Sequence, residues 1–407
     1  MTPTRMQSGP AASVGRPVYL DYQATTPTDP RVVEAMLPFF TEVFGNPSSK
    51  SHAFGSEAAA AVEKARRQVA DLVGAEDREV IFTSGATESN NLAIKGAARF
   101  HRGRGRDGVV TCTTEHKCVL ESVRRLEDEG FRVSRIGVGA DGLIDLEALA
   151  AAVDDRTAVV SVMAVNNETG VIQPAAEIGA LCRSRGALFH TDAAQAAGKT
   201  PLDVNDLQID LMSLSAHKMY GPKGIGALYV RRRPRARIAP EMDGGGQERG
   251  FRSGTLPAPL CVGFGAAAAV AAAERAHEAK RLLGMRRRLW DRIRSGVPDV
   301  RLNGHAEYRI PGNINLAFPG VDAEMLLTRL PGLALSTGSA CTSAAVEPSY
   351  VLRAMGLDAD LAGCSIRIGL GRGTTDAEVA TAADAIVAAV RSIRAEEASV
   401  PGTTAPM

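Results

Sequence analysis

Four short stretches carry residue types that can do chemistry together. In "LSAHKMYGPKG" (214–224), Lys218 follows a strand-like run directly and precedes a Gly-Pro-Lys-Gly turn. A lysine at the mouth of a sheet is costly to bury as a cation, so its amine either reaches solvent or is chemically modified. A Schiff base with pyridoxal phosphate (PLP) removes that difficulty and supplies an electron sink for carbanions. "FHTDAAQ" (189–195) ends a strand in Asp192, as expected of a carboxylate that keeps a pyridinium nitrogen protonated. "TSGATES" (83–89) offers backbone N–H groups and the Thr87 hydroxyl at a helix N-terminus, which suits a phosphate. The fourth stretch, "LSTGSACTSAAVEPSYVL" (335–352), places Cys341 in a run of Ser, Thr, Gly and Ala. Cysteine is usually a small buried hydrophobe, yet this one has no apolar frame to pack against. Gly338, Ser339, Thr342 and Ser343 favour a mobile loop, and Pro348 stops a helix from running back into it. A thiol on such a loop can travel.

Three other motifs do not carry the function their spacing suggests. "GVGADG" (137–142) matches G-x-G-x-x-G, but the next helix begins only near Asp145, too late to hold a pyrophosphate on its N-terminus. "AAQAAGKT" (193–200) has Ala193 at the first glycine position of a phosphate loop, and Pro201 interrupts the helix that would follow. "CTTEHKC" (112–118) has thiol and imidazole spacing without a second Cys or His pair, so no metal is expected.

The elements that must position these residues alternate from about residue 55 to 230. "SEAAAAVEKARRQVADLVG" puts Val62, Val69, Leu72 and Val73 on one helical face and ends in Gly74, a stop signal. "EVIFT", "VVTC", "FRVSRI", "TAVVSVMAV", "ALFHTDAA", "DLMSLSAHK" and "GIGALYV" read as strands, with helical runs between many of them. Strand, helix, strand order implies right-handed crossovers and a mostly parallel sheet covered by helices. The active site is then expected beyond the carboxyl ends of the strands. Polar residues gather there: Thr87, Glu88, Glu115, His116, Asn166, Asn167, Asp192, Gln195, His217 and Lys218. After the glycine-rich "DGGGQERGFRSGT" (243–255), an alanine-rich helix is expected from about 259 to 283 as the bridge to a second domain.

The 407 residues exceed a single compact core. With 45% hydrophobic and 23% charged residues and no apolar run of membrane-spanning length, the chain reads as soluble and globular. A net charge of +1 provides no global field to recruit nucleic acid. The basic runs "RRRPRAR" (231–237) and "HRGRGRDG" (101–108) are local and read as solvated loops. Six cysteines in so long a chain do not form a disulfide framework, and the first 17 residues lack the apolar core of a secretory signal. A reducing compartment, the cytoplasm, is expected.

In order and spacing, these stretches resemble the cysteine desulfurases of the NifS/IscS type, within the class V aminotransferase family of PLP enzymes. The likeness runs from "YLDYQATTP" (19–27) through "FGNPSSKSHAFG", "VNNETG" and "RSGTLP" to "SIRIGLGR" (365–372), nearly the whole chain. It implies an α/β protein of PLP-dependent transferase fold type I, with a mostly parallel central sheet, helices on both faces and a smaller α+β domain. The boundaries expected are a disordered tail over 1–17, a large PLP-binding domain over 18–262, a small C-terminal domain over 263–395 carrying the catalytic loop 335–350, and a disordered tail over 396–407.

The resemblance also implies roles. Lys218 becomes the Schiff-base lysine and Asp192 the partner of the pyridine nitrogen, while His116 stacks on the ring and assists proton transfer. Gln195 and Asn167 contact the ring hydroxyl and substrate. Ala86, Thr87, Ser215 and His217 hold the phosphate, with Thr255 reaching across from the other subunit of a homodimer. Arg367 pairs with the substrate carboxylate, for which a bidentate guanidinium is well suited. Cys341 takes sulfur from L-cysteine as a persulfide, L-alanine leaves, and the sulfur passes to a protein acceptor, either an iron–sulfur scaffold or a sulfur relay. The other five cysteines are expected to be structural. The sequence departs from the pattern at Ala216, where glycine is common, and at "DGGGQERG", where close relatives have "HGGGHERG". It also lacks the "SPLW"-type C-terminal extension that docks scaffold proteins, which leaves the acceptor open. Two readings from other classes also remain: an aminotransferase, which needs Lys218 and Asp192 but not Cys341, and a sulfur carrier without PLP.

Overall fold

Short apolar runs rich in β-branched residues, each closed by a turn or a helix start, give the chain its strands. The computed structural model describes residues 16–337 and 348–399, so Cys341 and most of both expected tails lie outside the described residues. After β1 (Val18–Tyr19) come β2 (Val80–Thr83), β3 (Gly108–Cys112), β4 (Arg132–Ile136), β5 (Thr157–Ser161), β6 (Leu188–Asp192), β7 (Leu211–Ser215) and β8 (Gly226–Val230). These last seven form one sheet in the order β2-β8-β7-β6-β5-β3-β4. Neighbours are parallel except at β8, which is antiparallel to both β2 and β7. Interior strands are buried on both faces, as parallel strands between helix layers must be, whereas the edge strand β4 exposes Arg132 and Arg135.

Helices cover both faces of this sheet. Ala86–Arg102 and Lys117–Asp128 bury Leu92, Ile94, Val119 and Val123 on one side. On the other, Ala53–Leu72 and the first half of Ala258–Gly296 bury Val62, Val69, Phe264 and Ala268. The face read from the spacing of Val62, Val69, Leu72 and Val73 is the buried one.

A smaller antiparallel sheet follows. After β9 (Arg301–Leu302), β10 (Asn313–Ala317), β11 (Leu333–Ala334) and β12 (Ser365–Gly369), the order is β12-β10-β9, while β11 pairs with β1. Leu316, Ile366 and Ile368 pack there against Ile386 and Val390 of the helix Asp376–Ser399. The long helix joins in with Leu282, Met285, Leu289 and Ile293. That helix was expected to end near residue 283 but continues to Gly296, because these four residues keep helical spacing through Gly284 and bury against the second sheet. The last described helix runs to Ser399, four residues beyond 395.

Candidate active site

A cavity of about 650 Å³ opens at the carboxyl ends of the central strands and collects ten of the expected site residues: Ala86, Thr87, His116, Asn167, Asp192, Gln195, Ser215, His217, Lys218 and Arg367. Thr255 is exposed and outside its lining, and Cys341 lies outside the described residues.

At one end, β2 gives way to Gly85, whose φ of 154° and ψ of −179° are essentially glycine-only. The turn starts the helix Ala86–Arg102 at the cavity wall. It packs so closely on β8 that a Cβ on Gly226 would lie 2.6 Å from the Gly85 Cα. Glu88, in the same first turn, is drawn off by Arg252 at 2.8 Å and by the Ser84 N–H at 2.8 Å. Free backbone donors at a helix start, with the Thr87 and Ser215 hydroxyls beside them, suit a phosphate. His217 shares this end, its Nδ1 3.0 Å from Thr25 Oγ1. Burial, then the neighbouring Lys218, Lys223 and Lys199, pull its pKa to about 4, so the ring is neutral at pH 7.

At the other end, Asp192 terminates β6. Its Oδ2 accepts from Asn90 Nδ2 at 2.6 Å, and its Oδ1 accepts from the Ala194 N–H at 2.9 Å. One helix therefore starts the phosphate turn and, one turn later, clamps the carboxylate. The other carboxyl nearby, Glu115, is fully buried and accepts from the Met163 N–H at 2.5 Å. Burial above all, with Asp192 adding to it, raises its pKa well above the usual carboxylate range.

Lys218 sits on the short 3₁₀ turn Ala216–Lys218 after β7, where its Nζ donates to the carbonyls of Gln23 at 2.6 Å and Ala24 at 2.7 Å. His116 caps the helix Lys117–Asp128: its Nδ1 accepts from the Cys118 N–H at 3.2 Å, which leaves the proton of a neutral ring on Nε2. Cys118 packs against the apolar cluster under the helices, as expected, and does more than that. It is half-buried, lines the cavity, and its Sγ lies 3.0 Å from His116 Nδ1 and 3.1 Å from Asn90 Nδ2. A residue at a helix start leans back toward the N-terminus, here toward the site.

Arg367 arrives from the smaller sheet. Only 2% exposed, it donates to the Asn167 carbonyl at 2.9 Å and pairs with Asp21 at 2.7 Å. The Asn167 Oδ1 is buried with no partner among the described residues, an acceptor that suits a ligand's donor. The chain on either side of residues 338–347 is fastened to this wall. Ser336 bridges Arg367; Ser349 Oγ donates to Glu168 at 2.5 Å, and Tyr350 OH to the Glu115 carbonyl at 2.6 Å. Gln23, Asn90, Glu168 and Tyr350 were not singled out from the sequence. Asn90 had a signal, since it lies four residues after Ala86 on the same helical face.

A donor-rich helix start, an amine and a carboxylate around a space of this size fit PLP, which would be held by its phosphate at Ala86, Thr87 and Ser215 and by its ring nitrogen at Asp192. Among the described residues no group of three metal-ligating side chains occurs, and no helix is long and apolar enough to cross a membrane.

Comparison with known proteins agrees with this architecture. The sequence model of "Aminotransferase class-V" matches residues 18–381. A "Cysteine desulfurase" of Mus musculus is 58% identical over 94% of this chain and 83% of its own length. A "Cysteine desulfurase IscS" of Rickettsia bellii is 56% identical over 93% of this chain and 92% of its own. A solved "NIFS-LIKE PROTEIN" superposes with a TM-score of 0.85 at 36% identity, covering 93% of this chain and 100% of that one. The chain belongs to the PLP-dependent aminotransferase class-V family, among its cysteine desulfurases.

Proposed function

We propose that this protein takes sulfur from L-cysteine onto Cys341 and passes it to a protein acceptor, with iron–sulfur cluster assembly as the main destination. The observation that carries this reading is the convergence of Lys218, Asp192 and Arg367 on one cavity whose rim anchors both ends of the Cys341 segment.

PLP, when bound, supplies an electron sink for charge developing at the substrate Cα. Arg367 grips the substrate carboxylate, its guanidinium already oriented by Asp21 and the Asn167 carbonyl. Lys218 Nζ takes the Cα proton, and His116 Nε2 is the second group placed to move protons. Cys341 lies five residues from Ser336, a reach of up to about 17 Å for extended chain. Its thiolate attacks the substrate sulfur. An S–S bond forms, the C–S bond breaks with its electron pair left on the carbon skeleton, and protonation completes L-alanine. A free thiol is only a few per cent ionised at neutral pH, so deprotonation of Cys341 is part of the site's task.

Assembly belongs to the same proposal. Phe40, Phe44 and Phe54 are 57%, 62% and 51% exposed, an apolar display suited to a second copy, and the exposed Thr255 is free to complete that copy's phosphate site. A reducing compartment, the cytoplasm, fits the five described cysteines, all free thiols.

Cys341→Ser separates the two halves of the chemistry. It should bind PLP and L-cysteine as the wild type does but lose ~10³ of its alanine production, about 4 kcal/mol of barrier, because a hydroxyl cannot carry the sulfur. Wild-type alanine formation, or labelled sulfur on Cys118 or Cys364, would show that the nucleophile lies elsewhere.

A further inference from the structure

We propose that Lys199 is a positioning residue of this reaction, which fixes the side-chain amide of Gln195 so that its NH₂ edge serves the cofactor ring oxygen. The inference rests on the PLP reading of the cavity and adds a residue that lines a different space. Lys199 Nζ donates to Gln195 Oε1 at 3.0 Å. Gln195 Nε2 donates to the Gln23 carbonyl at 2.8 Å, and that same carbonyl accepts from Lys218 Nζ at 2.6 Å. Two amines are thus joined through one amide and one carbonyl.

The chemistry of the amide gives the chain a direction. Its two ends are alike in shape and opposite in hydrogen bonding, and a lysine amine in its charged form is a donor only. Facing Lys199, whose amine donates to it at 3.0 Å, the amide presents oxygen. Its nitrogen is then turned to Gln23, with one N–H spent on that carbonyl and the second left for an acceptor in the cavity that Gln195 lines. Without Lys199 the amide can rotate and offer a carbonyl oxygen to the ring oxygen, two acceptors face to face.

The fold makes room for this lysine at a cost that packing alone does not explain. Gly198, with φ of 73°, turns the chain so that Lys199 comes back over Gln195. A Cβ at that glycine would lie 3.0 Å from the Ala271 Cβ of the long helix. Among the described residues Lys199 has no carboxylate within ion-pair distance, and its amine borders a second cavity of about 30 Å³ shared with Gln23, Tyr220 and Glu278. That volume admits water for its remaining donors. Burial, then Lys218, lower its pKa to about 7, with Glu278 opposing and Arg367 adding. Burying a charge this way is expensive, and a plain core position would carry an apolar side chain.

Lys199→Met, Gln195→Leu and the double variant test the proposal in the PLP-loaded enzyme. Lys199→Met should lower kcat/KM for L-cysteine roughly tenfold, the scale of one misdirected hydrogen bond, and shift upward the pH midpoint of the visible absorbance of lysine-bound PLP. Gln195→Leu should do the same, and the double variant should match Gln195→Leu within about twofold, because the chain is already cut. The absorbance titration needs only PLP and Lys218, so it reads Lys199 even if no sulfur is transferred. Fully additive losses in the double variant would overturn the proposal. So would an unmoved midpoint, including one accompanied by a lowered melting temperature, which would reduce Lys199 to a packing residue.

Discussion

Arg367 belongs to β12 of the smaller sheet yet forms the wall of the main cavity, and nothing in "SIRIGLGR" by itself says that it will face an amine and a carboxylate more than a hundred residues earlier. Its side chain is held from two sides, by Asp21 and by the Asn167 carbonyl, so its fork is oriented before substrate arrives. Arg367→Lys keeps the charge and loses the fork. Steady-state kinetics should show KM for L-cysteine raised ~30-fold or more with a smaller change in kcat, equivalent to about 2 kcal/mol of binding lost before the chemical step. A fall in kcat at unchanged KM would move Arg367 from substrate binding to proton chemistry. Lys218 and Asp192 were legible in the sequence because Asp192 ends a strand and Lys218 follows one on the turn just after it, where a polar residue has no packing reason to be. Asn90 and Cys118 were not, because their importance lies in bonds to Asp192 and His116 across 102 and two residues respectively. Only the folded backbone reveals that these bonds form one chain.

The glycine-rich element between β8 and the long helix is held by two arginine–carboxylate pairs. Arg66 forks onto Glu248 at 2.7 Å twice over, while Glu248 also accepts from the Phe82 N–H at 2.6 Å. Arg252 grips Glu88 in the first turn of the phosphate helix. These pairs fix the loop and leave Thr255 at the surface, the position that the proposed two-chain assembly requires of it. Thr255→Ala should therefore weaken PLP retention, and light scattering of the wild type should give a two-chain particle. A fully active monomer at assay concentration would refute that arrangement. Strand positions at this scale were read well, since a buried parallel strand is an apolar run closed by a turn. Helix ends were read less well: the long helix passes Gly284 because Leu289 and Ile293 are buried against a sheet that sequence periodicity cannot place.

At the scale of the molecule, one helix of 39 residues contributes to two apolar clusters, and the cavity lies where the smaller sheet meets the larger. In the proposed reaction that placement lets one part of the chain hold PLP while another supplies Arg367 for the substrate carboxylate and leads into the Cys341 segment. On that reading, activation of carbon and capture of sulfur come from separate pieces of the chain. A net charge of +1 leaves acceptor recognition to local surfaces rather than to a global field. The proposed reaction fixes a stoichiometry. L-cysteine added without reductant should give a burst of one L-alanine per chain and one added sulfur atom at Cys341 by intact and peptide mass. With a thiol reductant, turnover should continue with alanine and sulfide in equal amounts. Pyruvate with ammonia, amino-group transfer that depends on a keto acid, or alanine formed while Cys341 gains no sulfur would contradict it.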